Sequence, residues 1–371
     1  MLGDDLQILV YDKNMVRQGS LGGASSVEFF PVANGVGQAL VTIAPHRPRV
    51  ADAMQAGARL VIDVPGVIRF SGPVVSAQGA GPGDASITLT VKSDARILWD
   101  WLAWPNPAAP IGSQGQAYAK YSGSAEKILK DVLNANKGRF PEVLSVAPNL
   151  NRGNVIPGGV QFRWHPIADR LMTPFEQAGL IVDVAQYDSQ IVVDVREQQT
   201  VRKPLSVLSG NLTKWSWSNA GPTVTRVVAG GQGVGDLRTA LQTIDTALES
   251  SYKWAVESFV DARDTDDPAE ISGRMAEVLE DGAPKFGLTA ELVQSESFRY
   301  GQHYQVGDKI TVDVDGLMIT DILREAPFRW SHDEGLQISP AVGERSDDPD
   351  LVLAKRVRAI QKVTTNLKVS Q

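Results

Sequence analysis

The densest run of groups able to do acid–base work is the acidic stretch ESFVDARDTDDPAE at 257–270. It supplies Glu257, Asp261, Asp264, Asp266 and Asp267. Two carboxylates held about 5–10 Å apart across a cleft would make the acid and nucleophile of a glycosidase. The same acids stand directly ahead of a helix signal, Asp267-Pro268 with Glu270 at a capping-box position, and there they cap the helix and complement its dipole. That role accounts for the run without any reaction, so no catalytic residue is assigned. His46, His165, His303 and His332 show neither HExxH nor paired spacing, and no metal site is read from them. The stretch AGGQGVGDLR (229–238) follows a strand, yet Asp236 stands where a dinucleotide loop needs its third glycine, and the GK[ST] of a phosphate loop is missing. It reads as a connection between strands. Asp313-Val314-Asp315-Gly316 begins like a calcium loop but lacks the later acid. The chain has no cysteine, which removes disulfides, thiol nucleophiles and thiolate metal sites. No cofactor is expected. Trp99, Trp101, Trp104, Trp215, Trp217 and Trp254 would suit a carbohydrate platform, though such residues are more often core or interface anchors.

The elements that would position these groups are mostly strands, and part of the pattern repeats. Residues 57–72 (GARLVIDVPGVIRFSG) align without a gap on 307–322 (GDKITVDVDGLMITDI). Gly57, Asp63, Val64 and Gly66 match Gly307, Asp313, Val314 and Gly316. Each copy reads as a β-hairpin: a period-2 apolar strand, a Pro65-Gly66 or Asp315-Gly316 turn, and a second apolar strand. A further strand run follows at nearly the same offset, SITLTV at 86–91 and GLQISP at 335–340. Two similar β-modules on either side of something else suit a chain that presents pseudo-symmetric surfaces.

Around the repeats the chain divides into four expected regions. Residues 1–98 hold short alternating strands and read as a first β-barrel-like domain. Residues 99–205 combine an aromatic, Pro-rich loop with a small α+β domain. In it Ser124 caps a helix bearing Ile128, Leu129, Val132 and Leu133, Pro166 opens a second that Pro174 should kink or shorten, and a hairpin turns at Tyr187-Asp188-Ser189. Residues 206–344 read as a second β-barrel-like domain with an inserted helix. Residues 345–371 form a helical tail whose Leu353, Val357, Ile360, Thr364 and Leu367 make an a/d seam. The expected fold class is therefore β-rich α+β: two related β-barrel-like domains flanking a small mixed α/β domain, with a C-terminal heptad helix.

At 371 residues the chain exceeds one ordinary core. The formal net charge of −7 argues against a protein that grips nucleic acid through its phosphates. There is no apolar run of eighteen residues to insert in a membrane, and the N-terminus MLGDDLQILVYDK lacks the basic region of a signal peptide, so synthesis in a cytoplasm is expected.

Between 250 and 310 a more specific pattern occurs. W-x-x-E-x-F-V-D-x-R-D (Trp254, Glu257, Phe259, Val260, Asp261, Arg263, Asp264) precedes the capped helix, and Y-G-x-x-Y-x-V-G-D (Tyr300, Gly301, Tyr304, Val306, Gly307, Asp308) leads into the second repeat. This resembles the minor tail proteins of siphophages of actinobacteria, which are similar to the baseplate or tail-tip hub family and to the N-terminal half of tail-associated lysins. The resemblance implies a virion protein made in the host cytoplasm, a homotrimer whose paired β-domains adapt a hexameric tube to a three-fold tip and open for DNA ejection. It implies as partners a distal tail ring protein, a tape measure protein and other tail-tip or spike proteins, with DNA passing unbound through the lumen. On that reading Gly57, Asp63, Gly66, Gly307, Asp308, Asp313 and Gly316 belong to ring-contact hairpins, and Leu353, Val357, Ile360 and Leu367 to an axial bundle. The rival readings are a carbohydrate-binding tail module using the tryptophans and a cell-wall hydrolase using the acids of 257–267.

Overall fold

The period-2 alternation of the first ninety residues folds into seven strands: β1 (Gln7–Tyr11), β2 (Arg17–Ser20), β3 (Ala24–Phe30), β4 (Gln38–Ile43), β5 (Arg59–Val64), β6 (Ile68–Ala80) and β7 (Ser86–Lys92). The computed structural model describes residues 6–343 apart from 83–84, 157, 202–203, 234–237, 266, 293–297, 315 and 340. The chain divides into two units, one built from 1–215 and 289–342 and the other centred on 216–288. It is β-rich α+β, and none of its described helices is long and apolar enough to cross a membrane.

In the first unit the sheet order is β2-β1-β5-β6-β7-β4-β3, and two C-terminal strands, Phe328–Ser331 and Gly335–Ile338, extend it beyond β3. β4 alternates half-buried and buried positions, so Ala39, Val41 and Ile43 face the core with Val27 and Phe29 of β3. The long strand β6 serves two neighbours. Its first half pairs β5, its second half pairs β7, and the register shifts between Val74 and Ser76. Such a bulge bends a strand and increases its twist. Gly72 lies just before the bend, where a Cβ would come within 1.7 Å of the Lys92 carbonyl oxygen, so no other residue fits.

The closed barrel expected from the strand pattern is not formed. Among the described residues the sheet ends at β2 on one side and at Gly335–Ile338 on the other, with no pairing between them. Those C-terminal strands correct a second expectation. Residues 335–338 are not the counterpart of 86–92 in a separate module, because both lie in this one sheet. The reason is apolar: Phe328 stacks on Phe29 with ring centroids 4.6 Å apart, and each is fully buried.

The middle of the chain follows its local signals. Ser124 caps the helix Ala125–Asn136, its hydroxyl accepting the Lys127 N–H (3.3 Å). Ile128, Leu129, Val132 and Leu133 are fully buried, each contributing about 1.5–3 kcal/mol. A second helix, Ile167–Gln177, follows Pro166 and buries Ile167, Leu171 and Phe175. Pro174 does not stop it. So close to the C-terminus the proline removes one hydrogen bond, and its carbonyl still takes the Ala178 N–H (3.1 Å). Both helices cover a hairpin, Leu180–Tyr187 with Gln190–Glu197, turned through Asp188 at φ 48°. Trp101 is core here, stacked on Phe140 at 4.0 Å.

The second unit is a three-stranded sheet. Arg226–Gly230 lies between antiparallel Ala240–Ile244 and parallel Glu257–Asp261. The helix Pro268–Asp281 presses Ile271 and Met275 onto Val227, Ala229 and Ala262. The strand Ala240–Ile244 and the Asp245-capped helix Thr246–Tyr252 were not evident from the sequence.

One buried charge cluster sets the acid response. Lys130 Nζ donates to Glu126 (2.7 Å), to Asp194 (2.9 Å) and to the Pro148 carbonyl (2.9 Å), with Glu126 and Lys130 both out of solvent. Burial alone would push both carboxyls up. Hydrogen bonds from Lys130 and from backbone N–H groups outweigh it and hold Glu126 and Asp194 below the usual carboxylate range. A lowered folded-state pKa stabilises fully above the unfolded pKa and is lost as pH falls through the folded one. Urea unfolding should therefore show stability falling below about pH 4. Glu126→Gln should cost about 3 kcal/mol at neutral pH and flatten that acid limb; an unchanged limb would remove the cluster from this role.

Candidate functional site

Hydrogen bonding gives the two repeat copies nearly the same hairpin. The first pairs Arg59 with Pro73 through Val64 with Ile68, and the second Lys309 with Ile322 through Val314 with Leu317, a turn one residue tighter. Gly57, Gly66, Gly307 and Gly316 have φ of 78°, 71°, 98° and 91°, the left-handed region that makes glycine the favoured residue. Asp313 accepts the Gly316 N–H (2.8 Å) and fixes the second turn.

The surroundings of the copies differ. In the first, Arg59 is buried and donates to Gln186 Oε1 (2.7 Å) and Asp94 Oδ1 (2.5 Å). Ser71 donates to the other Asp94 oxygen (2.7 Å) and accepts the Gln186 N–H (2.7 Å). Asp63 pairs with Arg69 across the hairpin (3.2 Å), and Arg69 also reaches the Gln186 carbonyl (3.1 Å). In the second copy Asp308 is only 3% exposed. It accepts from Arg196 (3.0 Å) and from the N–H groups of Gln199 (3.2 Å) and Gln305 (2.9 Å). Gln198 donates to the Gly307 carbonyl (2.7 Å). Asp308 and Gly307 are thus bonded within their own chain. The base of each hairpin grips the same central hairpin, 180–197.

What the copies expose also differs. Gly66 and Gly316 stand at open turns, with nothing within 4 Å of a would-be Cβ. Beside Gly316, Leu317 is 54% and Met318 58% exposed. The segment ending at Leu205 runs parallel to this hairpin, bridged to Val312, and continues into a turn where Leu208 is 97% exposed and Val207 is exposed too. These four apolar side chains lie at the same end of the second hairpin. No sequence motif marks them, although Leu-Met straight after a turn glycine breaks the polar-out alternation expected of a solvated hairpin.

The sequence motif falls into two places. Tyr300 and Tyr304 are buried in the first unit, edge to face at 5.4 Å. Tyr300 also meets Phe328 edge-on (4.9 Å), its hydroxyl accepts the Val306 N–H (3.1 Å), and burial pushes its phenol far above the usual range. Gly301, at φ 82°, lies against the first hairpin's turn, where a Cβ would sit 2.4 Å from the Val67 carbonyl oxygen. Trp254, Glu257, Phe259, Asp261 and Arg263 belong to the second unit. There Glu257, Phe259 and Asp261 alternate onto the sheet face opposite the helix, with Phe259 59% exposed under the Arg238 guanidinium.

The acids are held by arginines. Asp261 accepts from Arg263 (2.6 Å) and Arg238 (2.7 Å), Asp264 from Arg274 (2.7 and 2.6 Å), and Glu257 lies 3.7 Å from Arg226. Hydrogen bonds from Arg263 and Arg274 hold the Asp261 and Asp264 carboxyls below their usual range, the opposite of what a general acid requires. Arg238 also donates to the carbonyls of Gly230 and Gly231, so the glycine-rich stretch presents these carbonyls to a cation. Among the described residues no cluster of three or more histidines and acids could hold a metal. Asp266 and the tail residues Leu353, Val357, Ile360 and Leu367 lie outside the described residues.

Gly301→Ala and Gly316→Ala separate packing from strain. Both need a left-handed backbone, at roughly 1–2 kcal/mol. Only Gly301→Ala also drives a methyl into backbone, and it should lose about 3 kcal/mol or more in urea unfolding. Equal losses at the two sites would contradict the close approach to Val67.

No curated protein matches the chain. Similar folds occur among solved structures. The 43 kDa tail protein of prophage MuSo2 from Shewanella oneidensis has a TM-score of 0.57 at 11% identity, covering 91% of this chain and 98% of that one. The tail protein from Neisseria meningitidis MC58 has a TM-score of 0.56 at 14% identity, covering 92% and 96%. Prophage tail protein gp18 from Listeria monocytogenes EGD-e has a TM-score of 0.51 at 11% identity, covering 96% and 99%. These likenesses show a shared fold. The family model for the Siphovirus ReqiPepy6 Gp37-like protein matches residues 7–344, and the chain belongs to that family.

Proposed function

We propose that the protein is a structural component of a phage tail, and within it a homotrimeric hub of the tail tip. The observation that carries the reading is the pair of repeat hairpins held by one central hairpin, with the exposed apolar residues Leu317, Met318, Val207 and Leu208 toward one end of the second. Exposed apolar groups on a braced hairpin suit burial against another subunit. The family match and the shared fold with three tail proteins support the same assignment. In a three-fold ring two hairpins of the same backbone form per subunit would give six such elements, which suits a hexameric tube meeting a three-fold tip. The distal tail ring, tape measure and spike proteins would then be its neighbours, and ejected DNA would pass along an acidic chain that does not hold it. The role is architectural, with no reaction assigned.

Light scattering on the full-length chain and on a chain cut after Glu344 tests this. The expected mass is three times 40.0 kDa for the full-length chain, and three times the correspondingly smaller protomer for the cut one. Leu208→Asp combined with Met318→Asp should give a monomer with an unchanged melting temperature, because both side chains are solvent-facing in the single chain. A monomeric wild type at every concentration would sink the self-assembling hub. A trimer that survives the double substitution would move the contact elsewhere.

A further inference from the structure

The irregular stretch between Trp104 and Ala119 closes on itself. Gln114 accepts the Asn106 N–H (2.9 Å) and donates to the carbonyls of Ala109 (3.2 Å) and Pro110 (3.0 Å). Gln116 donates to the Pro105 carbonyl, which draws the two ends of the loop together. Turns at Asn106–Ala109 and Pro110–Ser113 fill the interior (3.1 and 2.9 Å). A compact loop with joined ends, packed by its own side chains, is an Ω-loop, a form frequently functional. The assembly reading gives this one no task.

The loop walls a cleft of about 680 Å³, within the range that holds small ligands. Pro105, Asn106, Gln116, Tyr118, Lys120 and Tyr121 line it. Its floor is fixed. The strand Ala119–Tyr121 pairs with Val160–Phe162, and Tyr121 packs edge-on against Phe162 (5.9 Å). The Tyr118 ring is 36% exposed, with the Arg163 guanidinium 5.7 Å away over one face. Burial, then the charge of Asp131, pushes the Tyr121 phenol up, so it stays a donor at neutral pH.

The lining combines ring surfaces, which pack on C–H groups, with amides and phenols, which donate to and accept from hydroxyls. Lys120 adds one cation, and no carboxylate lines the cleft. A phosphate chain would want a glycine cradle, and no glycine lines the cleft. We infer that this cleft is a saccharide subsite of mono- or disaccharide size, favouring a ring with an anionic substituent. It differs from the tryptophan platform considered above: Trp101 is core, and exposed Trp254 lies in the other unit. It does not depend on trimer formation.

The test is saturation-transfer NMR on the full chain with glucose, galactose, N-acetylglucosamine, glucuronate and galacturonate, each at about 10 mM, above the millimolar range of weak binding. Transfer to ring protons is expected, strongest for the two uronates. Tyr118→Ala should abolish it, Lys120→Gln should remove only the uronate preference, and Trp254→Ala should leave it unchanged. Near-UV circular dichroism checks each fold, and Lys120→Gln carries the test if Tyr118→Ala does not fold. Transfer from none of the five sugars would overturn the inference. So would transfer that survives in folded Tyr118→Ala, that keeps its uronate preference in Lys120→Gln, or that is lost in Trp254→Ala.

Discussion

The first unit depends on polar atoms that have nowhere else to go. Arg59, Asp94, Ser71 and Gln186 share one buried set of hydrogen bonds, and each arm of it joins segments far apart in sequence. Removing any one member would strand a buried donor or acceptor, which costs more than the net gain of an ordinary hydrogen bond. Arg196 and Asp308 do the same for the second repeat. The central hairpin 180–197 supplies a partner to both sets, so it acts as the clasp between the two copies. Apolar packing alone would hold these elements together. The directional bonds fix where the hairpins sit along one another.

That clasp explains why two similar local sequences become unlike surfaces. Strand β5 is buried on both faces, with Arg59 and Val61 covered as well as Leu60 and Ile62. The equivalent strand Lys309–Val314 buries only Ile310, Val312 and Val314. Arginine at 59 and lysine at 309 fit these positions. The planar guanidinium satisfies two partners at once in a dry site, whereas an ammonium on a flexible stem suits solvent. The repeat conserves the backbone, through its glycines and turn, while single side chains decide which copy turns inward.

Local signals were therefore legible and long-range pairings were not. The positive-φ glycines, the Ser124 cap, the buried helix face at Ile128–Leu133 and the 180–197 hairpin each follow from a few neighbouring residues. The attachment of Phe328–Ser331 to β3 does not, because a strand carries no local mark of the sheet it joins. Its signal is Phe29 and Phe328, recognisable only once the backbone brings the rings together. The motif at 254–304 marks the family rather than one place in the fold. Trp254 through Arg263 build one unit and Tyr300 through Tyr304 belong to the other.

The acidic run shows how composition and chemistry part company. Its net contribution to the charge of −7 invites a catalytic reading, and the spacing of Glu257, Asp261 and Asp264 permits one. Geometry gives several of these acids a structural task through the arginines. Arg226, Arg238, Arg263 and Arg274 each approach a carboxylate of this unit, Asp264 receiving two bonds from one guanidinium. A carboxylate so paired gives up its basicity and resists protonation, so it can neither deliver a proton at neutral pH nor attack a substrate without first breaking the pair. The same bonds tie the segment 261–264 to Arg238 and to the helix that follows it. In a small unit whose core rests on Val227, Ala229, Ala262, Ile271 and Met275, ion pairs that fix loop geometry are the more economical use of those acids.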